Sequence, residues 1–295
     1  MGCAQLRPKS GAAGDTARDT ARVAGDPYAE MIEANRANWD ARVPVHLDGG
    51  YDLDHLRRGG RRLADFEYAA LDVSGRDVLH LQCHLGTDSI CLARHGARVV
   101  GLDLSGESVA AARRLAAECG VDVEYLRSDV YGAVAAMAGR RFDIVYTGKG
   151  SWGWLPDLHR WARVVADLLR PGGRLYLIDF HPLFLAALDD QPDAGRLVIG
   201  DNYLSAGAER YDTPRSYTGN GLVSGATTHF LWSHGLDEVL DAVRSAGLEL
   251  TAFVEHDLTC WGRWPWLVPL GDGWFGLPPG SPRLPMMFSV LATAR

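Results

Sequence analysis

Cysteine, lysine and long apolar runs are all scarce in this sequence, and each scarcity excludes a class of protein. The five cysteines are odd in number and form no CxxC pair, which argues against a disulfide framework and a zinc knuckle. We therefore expect a reducing, cytoplasmic compartment. No apolar run approaches the roughly 18 residues that a membrane span requires, and no charged start precedes an apolar segment. The sequence predicts neither a membrane helix nor a secretion signal.

The chain also has fewer positively charged residues than negatively charged ones. The chain has 30 Lys and Arg against 37 Asp and Glu, a net charge of −7, and its only lysines are Lys9 and Lys149. A nucleic acid partner would require a basic face, so we expect none. No cluster of carboxylates in the sequence indicates a divalent metal. With 295 residues and 47% hydrophobic content, the chain can form one sizeable domain.

The strongest pattern that is present lies between Val78 and Ser105. An apolar strand, a tight turn that closes on Gly86, a helix and a second apolar strand that ends in Asp103 follow one another. This order is typical of the first βαβ unit of a doubly wound sheet, where an acidic residue about 20 positions beyond the glycine turn binds a ribose. Asp103 is therefore predicted to accept hydrogen bonds from both hydroxyls of a nucleoside ribose.

The turn itself lacks the glycines of a dinucleotide site. A pyrophosphate is bound by a G-x-G-x-x-G turn because bare backbone must approach it, and here only Gly86 is retained. Gln82 and His84 carry side chains that would crowd a phosphate but can form hydrogen bonds with an amino-acid-like group. The turn predicts a nucleoside ligand without phosphate and disfavours a nicotinamide cofactor.

At these residues the chain resembles the class I S-adenosylmethionine-dependent methyltransferases. Their usual first motif, V-L-D-L-G-C-G-T-G, is matched by VLHLQCHLG at 78–86. Further matching segments follow in the family's order: SDVYG at 128–132, RFDIVYTGKG at 141–150, LLRPGGRLYLIDFHP at 168–182 and MMFSVLATA at 286–294. The HLQCHLG variant, with NRANWDARVPVH at 35–46 and PRLPMMFS at 282–289, is similar to a bacterial subgroup that acts on small molecules.

The resemblance implies an α/β fold: a Rossmann-like, doubly wound, seven-stranded sheet with an antiparallel last strand. It also implies S-adenosyl-L-methionine as the cofactor. We expect a disordered tail at 1–24, because this segment has almost no large apolar side chain. A single domain is predicted at 25–295. Its parts are a helical lid at 25–60, a cofactor-binding half at 61–182, a substrate insertion at 183–232 and a C-terminal completion of the sheet, with an aromatic loop, at 233–295. Within the lid, His46 and Tyr51 are predicted to fall in a Gly-rich connector.

The candidate cofactor residues come from the turn, from Asp103 and from the resemblance. Asp88, in the first turn of its helix, is either a partner of the helix dipole or an acceptor for the methionine ammonium. The resemblance implies that an amphipathic helix from Tyr28 covers the cofactor, an ordinary packing helix being the alternative, and that Asp129 accepts from the adenine amino group. The full predicted set is Tyr28, Asn35, Trp39, Gln82, His84, Gly86, Asp88, Asp103, Leu104, Ser128, Asp129, Val130 and Thr147.

Aromatic residues in loops beyond the strands are the candidates for binding the acceptor. Rings beside a sulfonium offer cation–π stabilisation, and long excursions at this edge of a sheet usually contact substrate. The Pro- and Gly-rich segment that follows Thr259 is interpreted as a stacking wall, an oligomer contact or core filling. The predicted substrate residues are Trp152, Trp154, Tyr203, Tyr217, Trp261 and Trp264.

A general base is required only if the acceptor loses a proton as it attacks. His181, at the carboxyl end of the fifth predicted strand, is the first candidate, and His229 and His234 come second, because imidazole titrates near working pH. An amine, or an electron-rich carbon such as an indole C3, would need little or no base.

These patterns together predict a methyltransferase that acts on a small aromatic metabolite of secondary metabolism, at N, O or C. The acidic balance of the chain favours a neutral or cationic acceptor. One alternative is a non-catalytic homologue that binds the nucleoside. The other is a nicotinamide-dependent oxidoreductase, which the broken glycine pattern disfavours.

Overall fold

The computed structural model describes residues 26–189, 191, 196–205, 207–218 and 221–295. The predicted tail at 1–24 lies outside the described residues. The helices are α1 (Ala29–Asp48), α2 (Leu53–Arg57), α3 (Asp65–Leu71), α4 (Thr87–Arg94), α5 (Gly106–Glu118), α6 (Ala133–Ala136), α7 (Leu158–Leu168), α8 (Pro182–Ala186) and α9 (Leu236–Ser245). The strands are β1 (Asp77–Leu81), β2 (Arg98–Asp103), β3 (Val123–Arg127), β4 (Phe142–Gly148), β5 (Leu169–Phe180), β6 (Ala208–Asp212), β7 (Thr228–Trp232), β8 (Leu248–His256), β9 (Leu258–Thr259), β10 (Val268–Gly271), β11 (Trp274–Gly276) and β12 (Met287–Ala294).

A seven-stranded sheet in the order β3-β2-β1-β4-β5-β12-β8 forms the centre of the molecule. The strands from β3 to β5 run parallel to one another, and β12 runs antiparallel to both β5 and β8. The prediction of a doubly wound sheet with an antiparallel last strand is confirmed. Because the chain crosses from β1 to β2 on one side and to β4 on the other, β1 marks the switch point where ligands bind in such sheets.

The parallel strands are short apolar runs because helices cover both of their faces. Val78 to Leu81 of β1 are all buried. One apolar cluster, which includes Tyr125, Tyr146 and Phe184, covers one face, and a second, which includes Trp161 and Phe288, covers the other. The sheet is therefore a rigid platform, and its carboxyl edge is left for a ligand.

Helix α1 packs outside this platform, between the sheet and a separate hairpin of β6 and β7. The side chain of Asn35 pairs with the backbone of Phe230 in β7, donating at 2.9 Å and accepting at 2.6 Å. On the opposite side, Asp40 accepts from Ser105 Oγ at 2.6 Å, at the start of α5. The connector predicted around His46 is wrong, because α1 continues to Asp48 and buries His46.

The aromatic segment near the C-terminus is more regular than predicted. Its residues form a small sheet in the order β10-β11-β9, in place of an irregular loop. Trp264 and Trp274 are buried in the core. Of the three interpretations of this segment, core filling therefore applies to these two residues.

Candidate active site

A cavity of about 920 Å³ lies at the carboxyl ends of β1, β2, β4 and β5. Its volume falls within the range of small-molecule sites. The predicted residues that line it are Asn35, Trp39, Gln82, His84, Asp88, Asp103, Leu104, Ser128, Asp129, Val130, Trp152, Trp154, Tyr203, Tyr217, His229, His234 and Trp261. Five predicted residues lie outside its lining: Tyr28, Gly86, Thr147, His181 and Trp264.

The turn after β1 holds two side chains in the backbone region that favours glycine. φ is 56° at Gln82 and 48° at His84, and a non-glycine residue is strained there. Side-chain hydrogen bonds hold the turn: Gln82 Nε2 donates to Ser151 O at 2.9 Å, and the His84 ring nitrogens lie 3.0 Å from Ser108 Oγ and 2.7 Å from His46 Nδ1. Gln82 Oε1 is buried and has no partner among the described residues. This oxygen is thus a hydrogen-bond acceptor beside the cavity that a ligand could use.

Gly86 has a packing role that sequence reasoning did not anticipate. Its φ is 71°, and a Cβ at this position would lie 2.2 Å from Tyr125 Oη. Glycine is therefore required by the turn and by the buried tyrosine. The predicted contact of Gly86 with the cofactor is not supported by its position.

Asp103 is buried at the end of β2 and is held by two backbone amides. His84 N donates to Oδ2 at 2.8 Å and Ser105 N donates to Oδ1 at 2.9 Å. Each oxygen keeps a further lone pair, which is the acceptor pair that two vicinal hydroxyls require. Burial raises the pKa of Asp103 to about 6, although the two amides oppose this shift.

The segment after β3 presents a second carboxylate to the cavity. Asp129 Oδ1 accepts from Gly132 N at 2.8 Å and so caps the short 3₁₀ turn that begins at Val130. Ser128 Oγ donates to the backbone oxygen of Asp129 at 2.9 Å. These contacts fix the backbone while Oδ2 of Asp129 has no hydrogen bond to the described residues, so one carboxylate oxygen can accept from a ligand amino group.

A buried charge cluster lies beside the turn. Lys149 Nζ is 2.9 Å from Asp88 Oδ2 and 3.1 Å from Glu67 Oε1, and Tyr146 Oη lies within hydrogen-bond distance of both carboxylates. Burial alone would lower the pKa of Lys149, but Asp88 and Glu67 raise it above its ordinary value. Asp88 is therefore already paired, and Lys149 is held in the loop after β4 by two buried carboxylates.

The loop after β4 is anchored by one buried carboxylate. Asp179 accepts from the backbone amides of Gly150, Ser151 and Trp152 at 2.6, 2.9 and 3.3 Å, and from Ser151 Oγ at 3.0 Å. Thr147, which is buried behind this loop, donates to Ser151 Oγ at 3.2 Å. Thr147 thus supports the loop that lines the cavity and does not line it itself.

Two residues of α1 that were predicted to bind the cofactor have structural partners. Both polar atoms of the Asn35 side chain are engaged by Phe230, and Tyr28 packs edge-on against Trp232 at 6.3 Å between ring centroids. Trp39 does face the cavity, with its ring 4.8 Å from His84 and 4.9 Å from Trp154. Helix α1 therefore presents mainly aromatic surface to a ligand in the cavity.

Further aromatic rings come from the insertion and from the C-terminal segment. Tyr217 Oη lies 2.6 Å from Tyr51 Oη, and the Tyr217 ring contacts Trp261 edge-on at 6.2 Å. Trp264 instead stacks on Trp266 at 5.0 Å within the core. Its predicted contact with substrate is therefore wrong in position, because its indole is used to pack the C-terminal segment.

His181 and His234 each use one ring nitrogen in a hydrogen bond. The other ring nitrogen of each is buried beside a glutamate and makes no hydrogen bond to the described residues. His181 Nδ1 accepts from Leu183 N at 3.1 Å and caps α8, while Nε2 lies 3.0 Å from Glu255 Oε1. His234 lines the cavity, but Nε2 donates to Leu155 O at 2.8 Å and Nδ1 lies 2.9 Å from Glu238 Oε2. For His181, the position outside the cavity does not support the predicted role as a base.

His229 is the candidate base that the structure places in the cavity with a usable nitrogen. Its Nδ1 lies 3.1 Å from Thr227 O, and a carbonyl can only accept, so Nδ1 carries the proton. Nε2 then has the lone pair, and it accepts from Arg42 Nη2 at 3.3 Å. Burial lowers the pKa of His229, so the ring is neutral at pH 7.

Arg42 and His46 are the site residues that sequence reasoning missed. Both side chains are buried, and Arg42 lines the cavity. The signal was present, because Trp39, Arg42 and His46 are separated by three and four positions, and this spacing puts side chains on one face of a helix. It was overlooked because His46 was assigned to a connector.

Comparisons with known proteins agree with this fold. The family described as "Methyltransferase domain" matches residues 78–173. A ubiquinone biosynthesis O-methyltransferase of Xanthomonas axonopodis pv. citri (strain 306) is 36% identical over 184 residues, which cover 61% of this chain and 67% of that protein. Among solved structures, an S-adenosylmethionine-dependent methyltransferase from Listeria monocytogenes aligns with a TM-score of 0.53 at 18% identity, covering 82% of this chain and 96% of that one. The glycopeptide N-methyltransferase MtfA, complexed with S-adenosylhomocysteine, aligns with a TM-score of 0.50 at 18% identity, covering 78% and 85%.

The chain belongs to the S-adenosylmethionine-dependent methyltransferases, and S-adenosyl-L-methionine is its cofactor. The cavity fits this group, since Asp103 offers two acceptor oxygens and Gln82 Oε1 is a buried acceptor without a partner. In the parts of the chain that the structure covers, no helix combines the length and apolarity of a membrane span. In the same parts, no three His, Cys, Asp or Glu side chains are grouped to hold a metal ion.

Proposed function

We propose that this methyltransferase acts on a small aromatic acceptor of secondary metabolism in the cytoplasm. The observation that carries the proposal is the wall of aromatic side chains that adjoins Asp103, formed by Trp39, Trp154, Tyr217 and Trp261. Flat apolar rings favour a flat apolar ligand because they bury large areas in stacked or edge-on contacts. The relatives named as O-methyltransferases support oxygen as the acceptor atom, with nitrogen and an electron-rich carbon as alternatives.

The cofactor would be oriented by acidic and amide groups already held in place. Asp103 would accept from the ribose hydroxyls, Asp129 Oδ2 from the adenine amino group, and Gln82 Oε1 from the methionine ammonium. The amide of Val130 would donate to the adenine ring. When bound, the sulfonium supplies the methyl group. The polar ends of the cofactor then meet fixed partners, and the aromatic wall is left for the acceptor.

The same placement supports a different role for each successive part of the chain. Residues 25–60 serve as a lid, 61–182 hold the cofactor, 183–232 contribute to acceptor binding, and 233–295 complete the sheet. In support, α1 lies against the β6–β7 hairpin through Asn35 and Phe230. Lid and insertion therefore close the cavity as one unit.

The chain's main contribution to the rate is to position the acceptor in a dry site. Holding a nucleophile near its target can contribute about 7–11 kcal/mol in the best cases. If the acceptor is a hydroxyl, His229 accepts its proton at Nε2, since Nδ1 is fixed by Thr227 O. Arg42 must release Nε2 for this step, and its bond to that nitrogen, at 3.3 Å, is long for a hydrogen bond.

The decisive experiment has two arms. First, thermal unfolding of the full-length protein is measured with saturating S-adenosylhomocysteine and with NAD. We expect stabilisation by the former alone, by about 2.7 kcal/mol at 100 times Kd. Second, transfer of a labelled methyl group to a panel of aromatic hydroxyls, amines and indoles is followed. Methyl transfer to aliphatic acceptors alone would contradict the proposal, and so would the absence of any stabilisation by S-adenosylhomocysteine.

A further inference from the structure

Arg42 is a buried cation in the cavity wall that lacks an anionic partner. Only 4% of its surface is exposed. Its single side-chain hydrogen bond within the described residues goes to His229, and its Nε is buried without a partner. No described carboxylate lies within ion-pair distance of it, whereas two other cavity cations are paired: Lys149 with Asp88, and Arg263 with Asp189 at 2.7 Å. Arg62, which also lines the cavity, has no described carboxylate partner either, but it is only half-buried. Among the described cations of this cavity, Arg42 thus combines full burial with the lack of a counter-ion.

The surroundings of Arg42 stabilise the guanidinium only in part. Its Cζ lies 5.4 Å from the Trp39 ring centroid and 5.3 Å from that of Trp154, and both contacts are cation–π in character. His229 is neutral, because burial lowers its pKa. Burial also lowers the pKa of Arg42 itself, which reflects the cost of a desolvated charge. A bound anion would offset that cost.

Arg42 lies in a different part of the cavity wall from the Lys149 cluster. Its neighbours Trp39, Trp154 and His229 belong to α1, to the loop after β4 and to the β6–β7 hairpin. The Lys149 cluster lies elsewhere in the cavity, next to Arg62, whose backbone oxygen accepts from Lys149 Nζ at 3.3 Å. Arg62 also lines the cavity, so a guanidinium is available on that side for the carboxylate of the cofactor.

We propose that Arg42 binds a carboxylate of the acceptor, so that the substrate is an aromatic acid. This inference rests on the proposed function and specifies its substrate class. A guanidinium binds a carboxylate through two parallel N–H bonds, and the flanking rings of Trp39 and Trp154 would hold the aromatic part beside it. Binding of the acid draws Arg42 away from His229 and frees Nε2 to accept a proton. The positive charge in the wall disfavours a cationic acceptor.

The test compares acids with their matched amides. The full-length protein is saturated with S-adenosylhomocysteine, and Kd is measured by calorimetry for 4-hydroxybenzoate against 4-hydroxybenzamide and for indole-3-acetate against indole-3-acetamide. We expect at least one acid to bind about tenfold to hundredfold more tightly than its amide, the range of a hydrogen bond to a charged group. Equal binding of acid and amide in both pairs overturns the inference.

Variants assign the preference to Arg42. Arg42→Met should abolish the preference for the acid, and Arg42→Lys should retain part of it. Arg36→Met, on the same helix α1 but outside the cavity lining, is the matched control and should retain the preference in full. Circular dichroism shows whether Arg42→Met folds. If it does not fold, the acid–amide comparison is made with the wild type and with Arg42→Lys, and these two measurements still test the proposal. An acid preference that survives in Arg42→Lys and Arg42→Met alike overturns the assignment.

A further arm separates the acceptor's carboxylate from that of the cofactor. Kd is measured for S-adenosylhomocysteine and for 5′-methylthioadenosine, which lacks the carboxylate. We expect Arg42→Met to change both values by less than about twofold. A loss of about tenfold for S-adenosylhomocysteine alone would assign Arg42 to the cofactor and overturn the inference. The proposed function would survive that result, and it fails separately if no aromatic compound is methylated.

Discussion

Among single residues, Asp103 has the clearest predicted effect on the cofactor. We expect Asp103→Ala to weaken S-adenosylhomocysteine binding by at least about a hundredfold, since two hydrogen bonds to a charged group contribute about 1.5–3 kcal/mol each. Calorimetry measures the change. Asp122→Ala, an exposed position at the other end of the sheet, is the control and should bind as the wild type does. Unchanged affinity in Asp103→Ala would refute the assignment of the ribose site.

The same carboxyl group predicts how cofactor binding depends on pH. Burial raises the pKa of Asp103 to about 6, above its ordinary value of 3.8. The folded chain therefore binds this proton more readily than the unfolded chain, and the accepting, ionised form is lost as pH falls through about 6. We expect Kd for S-adenosylhomocysteine to rise about tenfold per unit below that pH. Titrations between pH 8 and 5 measure this, and Asp103→Asn should show a flat profile.

Replacement of Arg42 by an apolar residue should stabilise the ligand-free protein. Replacing a buried ion pair by apolar groups of similar volume is often stabilising by about 1–4 kcal/mol. Arg42 has no described carboxylate partner to offset the cost of its burial, so the same direction is expected for it. We expect ligand-free Arg42→Met to unfold at a higher temperature than the wild type. Differential scanning calorimetry measures the shift. A lower unfolding temperature would mean that the guanidinium is already well compensated by Trp39, Trp154 and His229.

Residues whose role depends on their neighbours in sequence could be predicted, and residues whose role depends on distant partners could not. Asp103 ends β2 and Asp129 follows the end of β3 by two residues, so the local pattern predicts their place at the carboxyl edge. Arg42 is defined by His229, which is 187 positions away. Gly86 was assigned correctly to the turn, where its φ is 71°, but its second constraint, the distant ring of Tyr125, could not be predicted.

Among the secondary-structure elements, the loop after β4 depends most on one contact, the carboxylate of Asp179. Asp179→Asn replaces one accepting oxygen by a donor, which faces backbone N–H groups of Gly150, Ser151 or Trp152. We expect the free energy of unfolding to fall by about 2–4 kcal/mol, the usual cost of leaving buried polar groups unsatisfied at more than one atom. Urea unfolding measures it.

The neighbouring strand supplies the control for this prediction. Asp143 on β4 is half-buried and pairs with Arg170 at 2.7 Å near the surface. Asp143→Asn should cost less than about 1 kcal/mol, as is usual for exposed ion pairs. Equal losses in the two variants would argue against Asp179 as the anchor of the loop.

Elements with a regular apolar pattern were predicted well, and those built from irregular sequence were not. The unit predicted between Val78 and Ser105, a strand, a turn, a helix and a second strand that ends in Asp103, is formed by β1, α4 and β2. The aromatic segment forms β9, β10 and β11, although its Pro and Gly content favours a loop. Antiparallel pairing of strands within the segment itself overrides local propensity there.

In the molecule as a whole, the sheet buries much more apolar surface than the contacts of α1 do. We therefore expect the two parts to differ in local stability. The sheet is enclosed by two large apolar clusters, whereas the smallest cluster, made of Val43, Leu85 and Ala111, joins α1 to the sheet side. Much of the remaining attachment of α1 is polar, through Asn35, Asp40 and His46. Segments with little buried apolar contact open most readily, so the lid should be the least stable part of the cavity.

Hydrogen exchange tests this prediction directly. In the ligand-free protein, amides of α1 and of the β6–β7 hairpin should exchange together and faster than those of β1, β4 and β5. S-adenosylhomocysteine should slow exchange in α1 and in the turn at 82–86, because a ligand that binds only the closed state adds its binding free energy to the cost of opening. An aromatic acid held by Arg42 should slow the hairpin further. If α1 exchanges as slowly as β4 without any ligand, the lid is a fixed wall, and the acceptor must enter the cavity by another route.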